Sequence, residues 1–332
     1  MQSIRIALDA FGGDNAPQVN VDGAFLALKE FQDLEILLVG REEDLKPLIK
    51  ESPETSRISI VDAREVFPMS EKPSLLLRKK ETSLYKAAIQ VKDANADALV
   101  SAGNTGGVLA AALFVVGRIK GVDRGAIAVL VPSKNGFTIL IDAGANAEAR
   151  AEHLRDFGTM GYEYAKLMGR EKPKVGLLNV GEEQEKGTEL TKLAFDYLKN
   201  DLGDSFAGNV EGRDINYGDV DVVVCSGFDG NIAMKTMEGT GKLISATLKK
   251  EIKKSGLFGI IGALFLKRAL GRLKKTMDPS EYGGAFILGV KGAVVKAHGN
   301  SNALAIKNAI RVAYQGVKGD LIKKLEEKLG GK

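Results

Sequence analysis

Seven short runs of Ile, Val and Leu, each closing on a small or polar turn residue, set the narrowest limit on what this chain can fold into. They are IRIALDA, LEILLVG, ISIVDA, ALVSAG, TILIDAG, KVGLLNVG and VDVVVCSG. Unbroken β-branched runs of this length suit strands covered on both faces. Between them, residues 83–92, 105–119, 148–168 and 188–199 read as helices. Alternating strands and helices build βαβ units, so the expectation is an α/β fold with a mostly parallel sheet. The chain has 332 residues, 44% of them hydrophobic and 27% charged, enough for a large core. No repeat, low-complexity tract or Pro/Ser-rich linker marks a boundary, so residues 1–332 are read as a single α/β unit.

Several function classes lose support. Cys225 stands alone, which excludes an internal disulfide and a thiolate metal cluster. Only His153 and His298 are present, without HxxxH or HExxH spacing, so no metal is expected. His153 falls inside a helix and reads as a packing or capping residue. The one GxG, Gly239 to Gly241, lacks the later glycine of a dinucleotide fingerprint, and no P-loop or GxSxG elbow occurs. No organic cofactor is expected either. The amino terminus, MQSIRIALDA, has no basic, apolar and cleavage regions of a signal peptide, which points to the cytoplasm. Between Lys249 and Lys275 nine basic residues face Glu251 alone, although the whole chain is only +4. The positive charge is local and lacks interleaved aromatics or a reading motif, so nucleic acid is not an expected partner.

Six strand or strand-like ends run into glycine with Asn, Asp or Thr: DAFGGDNAP, SAGNTGG, DAGANAEAR, NVGEEQEKG, GNVEGRD and SGFDGNIAMK. Ligands of open α/β sheets bind at the carboxyl ends of strands, and glycine turns with helix amino termini suit an anion. Any one such loop is explained by turn formation alone. Six together predict that the loops gather along one edge as one site. The candidates for phosphate or substrate binding are Asp9, Gly12, Gly13, Asn15, Asn104, Thr105, Asn146 and Asn179. His298, in VKAHG at a further strand-like end, joins them.

Taken in order, LDAFGGDNAP, SAGNTGG, GRIKGVDR, DAGAN, LLNVGEEQEKG, GNVEGRD, DGNIAMKTMEG, YGGA and KAHG closely resemble the bacterial acyl-carrier-protein phosphate acyltransferases of phospholipid synthesis. Phe11 stands where that family usually has Met, and VPSKNGFTIL is shorter than in some relatives. The resemblance implies transfer of a long-chain acyl group from acyl-carrier protein to inorganic phosphate. It also implies a metal-free homodimer of three-layer α-β-α subunits, similar to phosphotransacetylases and to isocitrate and isopropylmalate dehydrogenases. Lys186 of EKG and Asn231 of DGN match the positions that the family needs for catalysis. Alternatives that share the architecture are transfer of a small acyl group, as in a phosphotransacetylase, and a dehydrogenase. A non-catalytic anion-binding protein is a third class.

The chemistry fits those residue types. Phosphate is already an anionic nucleophile, so the protein must position it rather than activate it. A neutral Asn amide suits a developing oxyanion, and a Lys suits the phosphate charge. One feature stays outside the site. KKSGLFGIIGALFLKRALGRLKK has no charge from Ser255 to Leu266, about half the length that a membrane span needs. It predicts two helices, 234–254 and 264–275, sharing an apolar tip at 256–266. Leu257, Phe258, Ile260, Ile261, Leu264 and Phe265 would insert shallowly into a membrane surface, making the enzyme peripheral to the inner face of the cell membrane. A membrane-embedded glycerol-3-phosphate acyltransferase would use the product there. The competing expectation is a helix pair buried at a dimer seam.

Overall fold

The computed structural model describes residues 3–276 and 282–331. All seven apolar runs contain strands: β1 (Ile4–Asp9), β2 (Leu34–Gly40), β3 (Ile58–Asp62), β4 (Ala98–Ser101), β6 (Gly136–Ile141), β7 (Val175–Leu178) and β9 (Val222–Val224). Four more complete the set among the described residues: β5 (Ala126–Ser133), β8 (Phe206–Val210), β10 (Ala285–Leu288) and β11 (Ala293–Lys296). The last two have four residues each, too short for a pattern to stand out from their glycine-rich surroundings.

The strands form one sheet in the order β3-β2-β1-β4-β11-β10-β5-β6-β9-β7-β8. Both flanks are parallel: β3 through β11 on one side, β6 through β8 on the other. Between them, β11–β10, β10–β5 and β5–β6 pair antiparallel. Three reversals make the two parallel flanks run in opposite directions. Their carboxyl ends therefore lie at opposite edges of the sheet, which corrects the expectation of a single edge.

Alternation along the strands feeds a core on each face. Ile6 and Leu8 of β1 pack with the helices Gln18–Glu30, Ala151–Leu167, Glu189–Leu202, Ala303–Lys318 and Leu321–Leu329. Ala7 points the other way, into a second core with Leu84 of helix Ser83–Lys92 and Val108 of helix Thr105–Ala110. That second helix continues as a π-helix over Ala111–Gly117, so the 105–119 segment is helical but not uniformly α. The result is a three-layer α/β arrangement, as expected.

A 28-residue helix, Gly227–Lys254, starts at the end of β9 and crosses β5 and β6. Its Met234 packs against the second core and against a third cluster containing Val131, Leu140 and Val223. Only Gly227 and Gly230 of this helix are buried. The apolar tip is not merely the junction of two helices, because residues Gly256–Phe265 are themselves a helix, followed by Lys267–Thr276. The tip glycines do not break it. At Gly259 a Cβ would come within 2.4 Å of the Ile252 carbonyl oxygen, so glycine permits the tip to fold tightly against the end of the long helix.

Candidate functional site

At the first edge, Asp9, Ser101 and Lys296 close three adjacent parallel strands. Lys296 pairs in register with Ser101, and Asp9 and Ser101 follow the paired Leu8 and Val100. Residues in register on parallel strands share a face. Here it is the face of Ala7, Leu99 and Val294, two residues earlier on each strand, all in the second core. Asp9 Oδ1 accepts a hydrogen bond from Ser83 Oγ at 2.6 Å, and Oδ2 accepts one from Ser101 Oγ at 2.7 Å. Burial pushes the Asp9 carboxyl up, against the pull of these hydroxyls. Burial likewise brings Lys296 down to about 8, opposed by the charges of Asp14 and Asp9 and assisted by Lys235. Lys296 Nζ donates to the Ala297 carbonyl.

The glycines beside this row are there for space. A Cβ on Gly12 would lie 2.7 Å from both Asp9 Oδ2 and the Gly103 nitrogen. Gly13 has φ +97° and would meet the Gly299 carbonyl at 2.9 Å. Asn20 holds the loop, donating to the Ala10 and Gly12 carbonyls at 2.9 Å each. Asp14 N donates to the Gly299 carbonyl at 2.8 Å, and Asn15 Nδ2 donates to that of Ser301 at 3.3 Å. The DAFGGDN, SAGN and KAHG loops thus form one assembly, with His298 and Thr105 exposed on it. Asn104 does a different job from the expected one. Its Oδ1 caps the following helix through Gly107 N, and its Nδ2 donates to the Met69 and Glu71 carbonyls.

At the opposite edge, Asp142 organises the DAGAN turn. It is fully buried and accepts five hydrogen bonds, from the backbone of Ile127, Gly144, Ala145 and Asn146 and from Asn146 Nδ2. Burial raises its carboxyl, and the donors oppose the rise. Asn146 Nδ2 also donates to the Gly125 carbonyl at 2.8 Å, so this amide too is committed to the loop. Gly227 N donates to the Asn146 carbonyl at 2.8 Å, joining the turn to the long helix. Ser226 caps that helix through Asp229 N. One turn in, Asn231 is exposed and lies along Gly144, whose Cβ position is 3.5 Å from Asn231 Cβ. Gly144 has φ +133°, a backbone that favours glycine.

The pairing of Leu177 with Val224 sets the ends of β7 and β9 side by side. The loop after β7 is tied by Asn179, whose Nδ2 donates to the Lys186 carbonyl and whose Oδ1 accepts from Val180 N. Lys186 itself is exposed, its stem over Gly181. Asn179 shapes the loop, therefore, and Lys186 is its exposed charge-bearing arm. His153 is buried where a helix begins, its Nδ1 accepting from Arg150 N and its Nε2 2.8 Å from Asp123 Oδ2.

The two loop groups, although at opposite edges, fold onto the same face. Ala143 and Ala145 of the DAGAN turn and Met234 of the long helix pack on the second core, the face of the Asp9–Ser101–Lys296 row. Lys235 follows Asn231 by one helical turn. Sequence reasoning missed Ser83, Ser101, Asp142 and Lys296. The signal for Lys296 was a charge closing an apolar run, AVVK, and Asp142 stands in the same place after TILI.

The tip has the opposite character. Phe258 is 87% and Phe265 85% exposed, with Ile261, Leu264 and Leu266 exposed beside them. The side chains of Leu257 and Ile260 lie outside the described residues. No helix among the described residues is long and apolar enough to cross a membrane.

Comparison with known proteins agrees with this geometry. Residues 4–324 match the family model described as fatty acid synthesis protein. The chain is 56% identical to the phosphate acyltransferase of Fervidobacterium nodosum, with 98% of each chain covered. It is 50% identical to that of Thermotoga neapolitana, covering 97% of this chain and 96% of the relative. Among solved structures, a phosphotransacetylase from Streptococcus pyogenes has the same fold, with a TM-score of 0.66 at 16% identity over 96% of this chain and 94% of that one. A 4-hydroxythreonine-4-phosphate dehydrogenase from Klebsiella pneumoniae follows at a TM-score of 0.51 and 10% identity, over 95% of this chain and all of that one. On the family match across nearly its whole length, this chain belongs to the fatty acid synthesis protein family that includes the phosphate acyltransferases.

Proposed function

We propose that this enzyme transfers a long-chain acyl group from the thioester of acyl-carrier protein to inorganic phosphate, giving acyl phosphate for phospholipid synthesis. The observation that carries the proposal is Asn231, an exposed amide on the first turns of a 28-residue helix, seated against Gly144 of the DAGAN turn. A phosphate oxygen attacks the thioester carbonyl carbon, and the carbonyl oxygen becomes anionic. The Asn231 amide donates to that oxygen, with the positive end of the helix behind it. Collapse expels the carrier thiolate, which takes up the proton released by hydrogen phosphate, so the products are acyl phosphate and thiol. Lys186 follows the phosphate and offsets its charge as it meets the carbonyl. No protein nucleophile is needed.

The segment from Met234 onward serves as an arm of the single α/β unit. Its apolar tip and flanking Lys and Arg residues suit reversible docking on an anionic membrane surface. Burying each large apolar side chain contributes ~1.5–3 kcal/mol, and each cation near anionic lipid adds about 1 kcal/mol. A homodimer would present two such arms. Docking at the inner face of the cell membrane would release a poorly soluble product where a membrane glycerol-3-phosphate acyltransferase uses it.

Incubating the enzyme with palmitoyl acyl-carrier protein and phosphate tests the reaction. Phosphate-dependent thiol release with matching acyl phosphate is expected. Turnover with acetyl-coenzyme A alone points to a phosphotransacetylase, and no turnover with either donor defeats the acyl-transfer reading.

A further inference from the structure

We infer that Asn209, in the GNVEGRD segment, is a positioning residue that fixes the turn carrying Lys186, so that this lysine meets phosphate from a base already held in place. The inference rests on the acyl-transfer reading for the identity of the anion, and on the hydrogen bonds of the turn for the rest.

Both peptide groups of Lys186 are tied. Its carbonyl accepts from Asn179 Nδ2 at 3.1 Å, and Asn179 N in turn donates to the Val210 carbonyl at 2.8 Å, so this side of the lysine is fixed to the end of β7. Gly187 follows with φ +94°, where a Cβ would collide with Asn179 Oδ1 and Thr191 Oγ1. On the other side, Lys186 N donates to the Glu183 carbonyl at 3.1 Å, which closes a four-residue turn. That turn lies out on the exposed crest of the loop. Its anchor comes from a separate strand: Asn209 Nδ2 donates to the same Glu183 carbonyl at 2.8 Å.

Asn209 is an unusual residue for its place. It stands on β8, the outermost strand, in register with Leu177 of β7. Residues in register on parallel strands share a face, so Asn209 lies on the side of the fully buried Leu177, and it is itself only 5% exposed. An apolar side chain suits such a position better, because a buried amide costs stability unless its groups are paired. Asn209 Oδ1 is buried without a hydrogen-bond partner among the described residues. The Glu183 carbonyl does not require the amide either, since it already accepts from Lys186 N and stands on an exposed turn that water reaches. What the Asn209 bond adds is location. Arg213 of the same segment makes a second tie, 3.4 Å from Glu182 Oε1, but both side chains are exposed and such a pair holds little. Beneath the lysine, Gly181 leaves room for its stem, which a Cβ would meet at 3.2 Å. A flexible side chain rising from a fixed base has less freedom to lose when it closes on an anion.

Titration calorimetry with inorganic phosphate, run beside steady-state kinetics, tests the inference. Asn209→Leu removes the donor at similar volume. It should weaken phosphate binding and raise the phosphate KM by about 3- to 10-fold, with kcat and the KM for the acyl donor changed by less than about 2-fold. Its urea midpoint should stay at or above that of the parent, because the amide it replaces left an acceptor unpaired. Added to Lys186→Ala, it should leave the phosphate KM of that variant nearly unchanged, since a group that is absent cannot be misplaced. Asn209→Ser, whose shorter side chain draws back from the carbonyl, takes its place if the Leu variant does not fold. An unchanged phosphate KM, equal effects on both substrates, or a rise that multiplies the one caused by Lys186→Ala would each overturn the inference. Weaker phosphate binding by Asn209→Leu, in a protein that forms no acyl phosphate with either donor, would retain the inference and defeat the acyl-transfer reading instead.

Discussion

The Asp9–Ser101–Lys296 row and the Gly256–Phe265 helix break the usual distribution of residues in opposite ways. In the row, charges are buried in the sheet; in the helix, two phenylalanines stand almost fully in water. Each arrangement is unfavourable for an isolated chain. On the proposed function, the tip becomes favourable once an apolar layer arrives. The comparison teaches that, on the proposed function, the loops of the sheet hold phosphate and the helical arm meets the lipid surface. The long helix joins them, carrying Asn231 at one end and the tip at the other.

The largest expected effect is at the tip. Replacing Phe258, Ile261, Leu264 and Phe265 with Asn should lower affinity for anionic vesicles by about 100- to 10,000-fold, even if half of each contribution is lost to ordering. Turnover with soluble donor should stay near wild type, and raising salt should weaken the parent's binding. Vesicle flotation beside analytical ultracentrifugation separates the outcomes: unchanged flotation rejects docking, and loss of a dimer favours a protein seam.

Next comes the chemistry between the two regions. Asn231→Ala should lower kcat by about 100- to 1000-fold with little change in phosphate KM, because its donor acts on charge that appears only in the transition state. Lys186→Ala should mainly raise phosphate KM, by about 10-fold. Wild-type kinetics of either variant at limiting phosphate removes its assigned role.

Asp142→Ala probes the scaffold beneath Asn231. Five donors would lose their acceptor in a fully buried site, costing about 3 kcal/mol or more, read as a lower midpoint in urea. A midpoint close to that of the parent would show that the DAGAN turn holds itself without the carboxylate.

A pH dependence belongs to Lys296. Its native value, about 8, lies below the ordinary 10.5, so the unfolded chain holds more protons across that window. Stability therefore rises with pH from about 8 towards 10.5, and Lys296→Met should remove this rise while being the more stable protein at pH 7. Denaturant melts at pH 7 and pH 10 check it; parallel pH dependence in both proteins contradicts a buried cation.

Much of this was legible in the sequence because buried parallel strands must be apolar throughout. IRIALD and LEILLVG announce themselves for that reason. The reversal in the middle was not legible, since β10 and β11 are four-residue strands whose direction follows from long-range pairing. That reversal is why loops expected at one edge lie at two. Glycine and Asn marked the loops correctly but not the division of labour within them. Asn104, Asn146 and Asn179 look like ligands in sequence, yet each spends its amide on backbone, whereas Lys296 looked like the end of a strand. The residue type was readable; its free valence required coordinates.

Hydrogen exchange with and without inorganic phosphate tests most directly whether the two edges build one site. Phosphate should slow exchange together in the segments 11–15, 102–106 and 297–301 from one edge and in 226–231 from the other. Protection confined to one of these groups would contradict the shared site, whichever group it was.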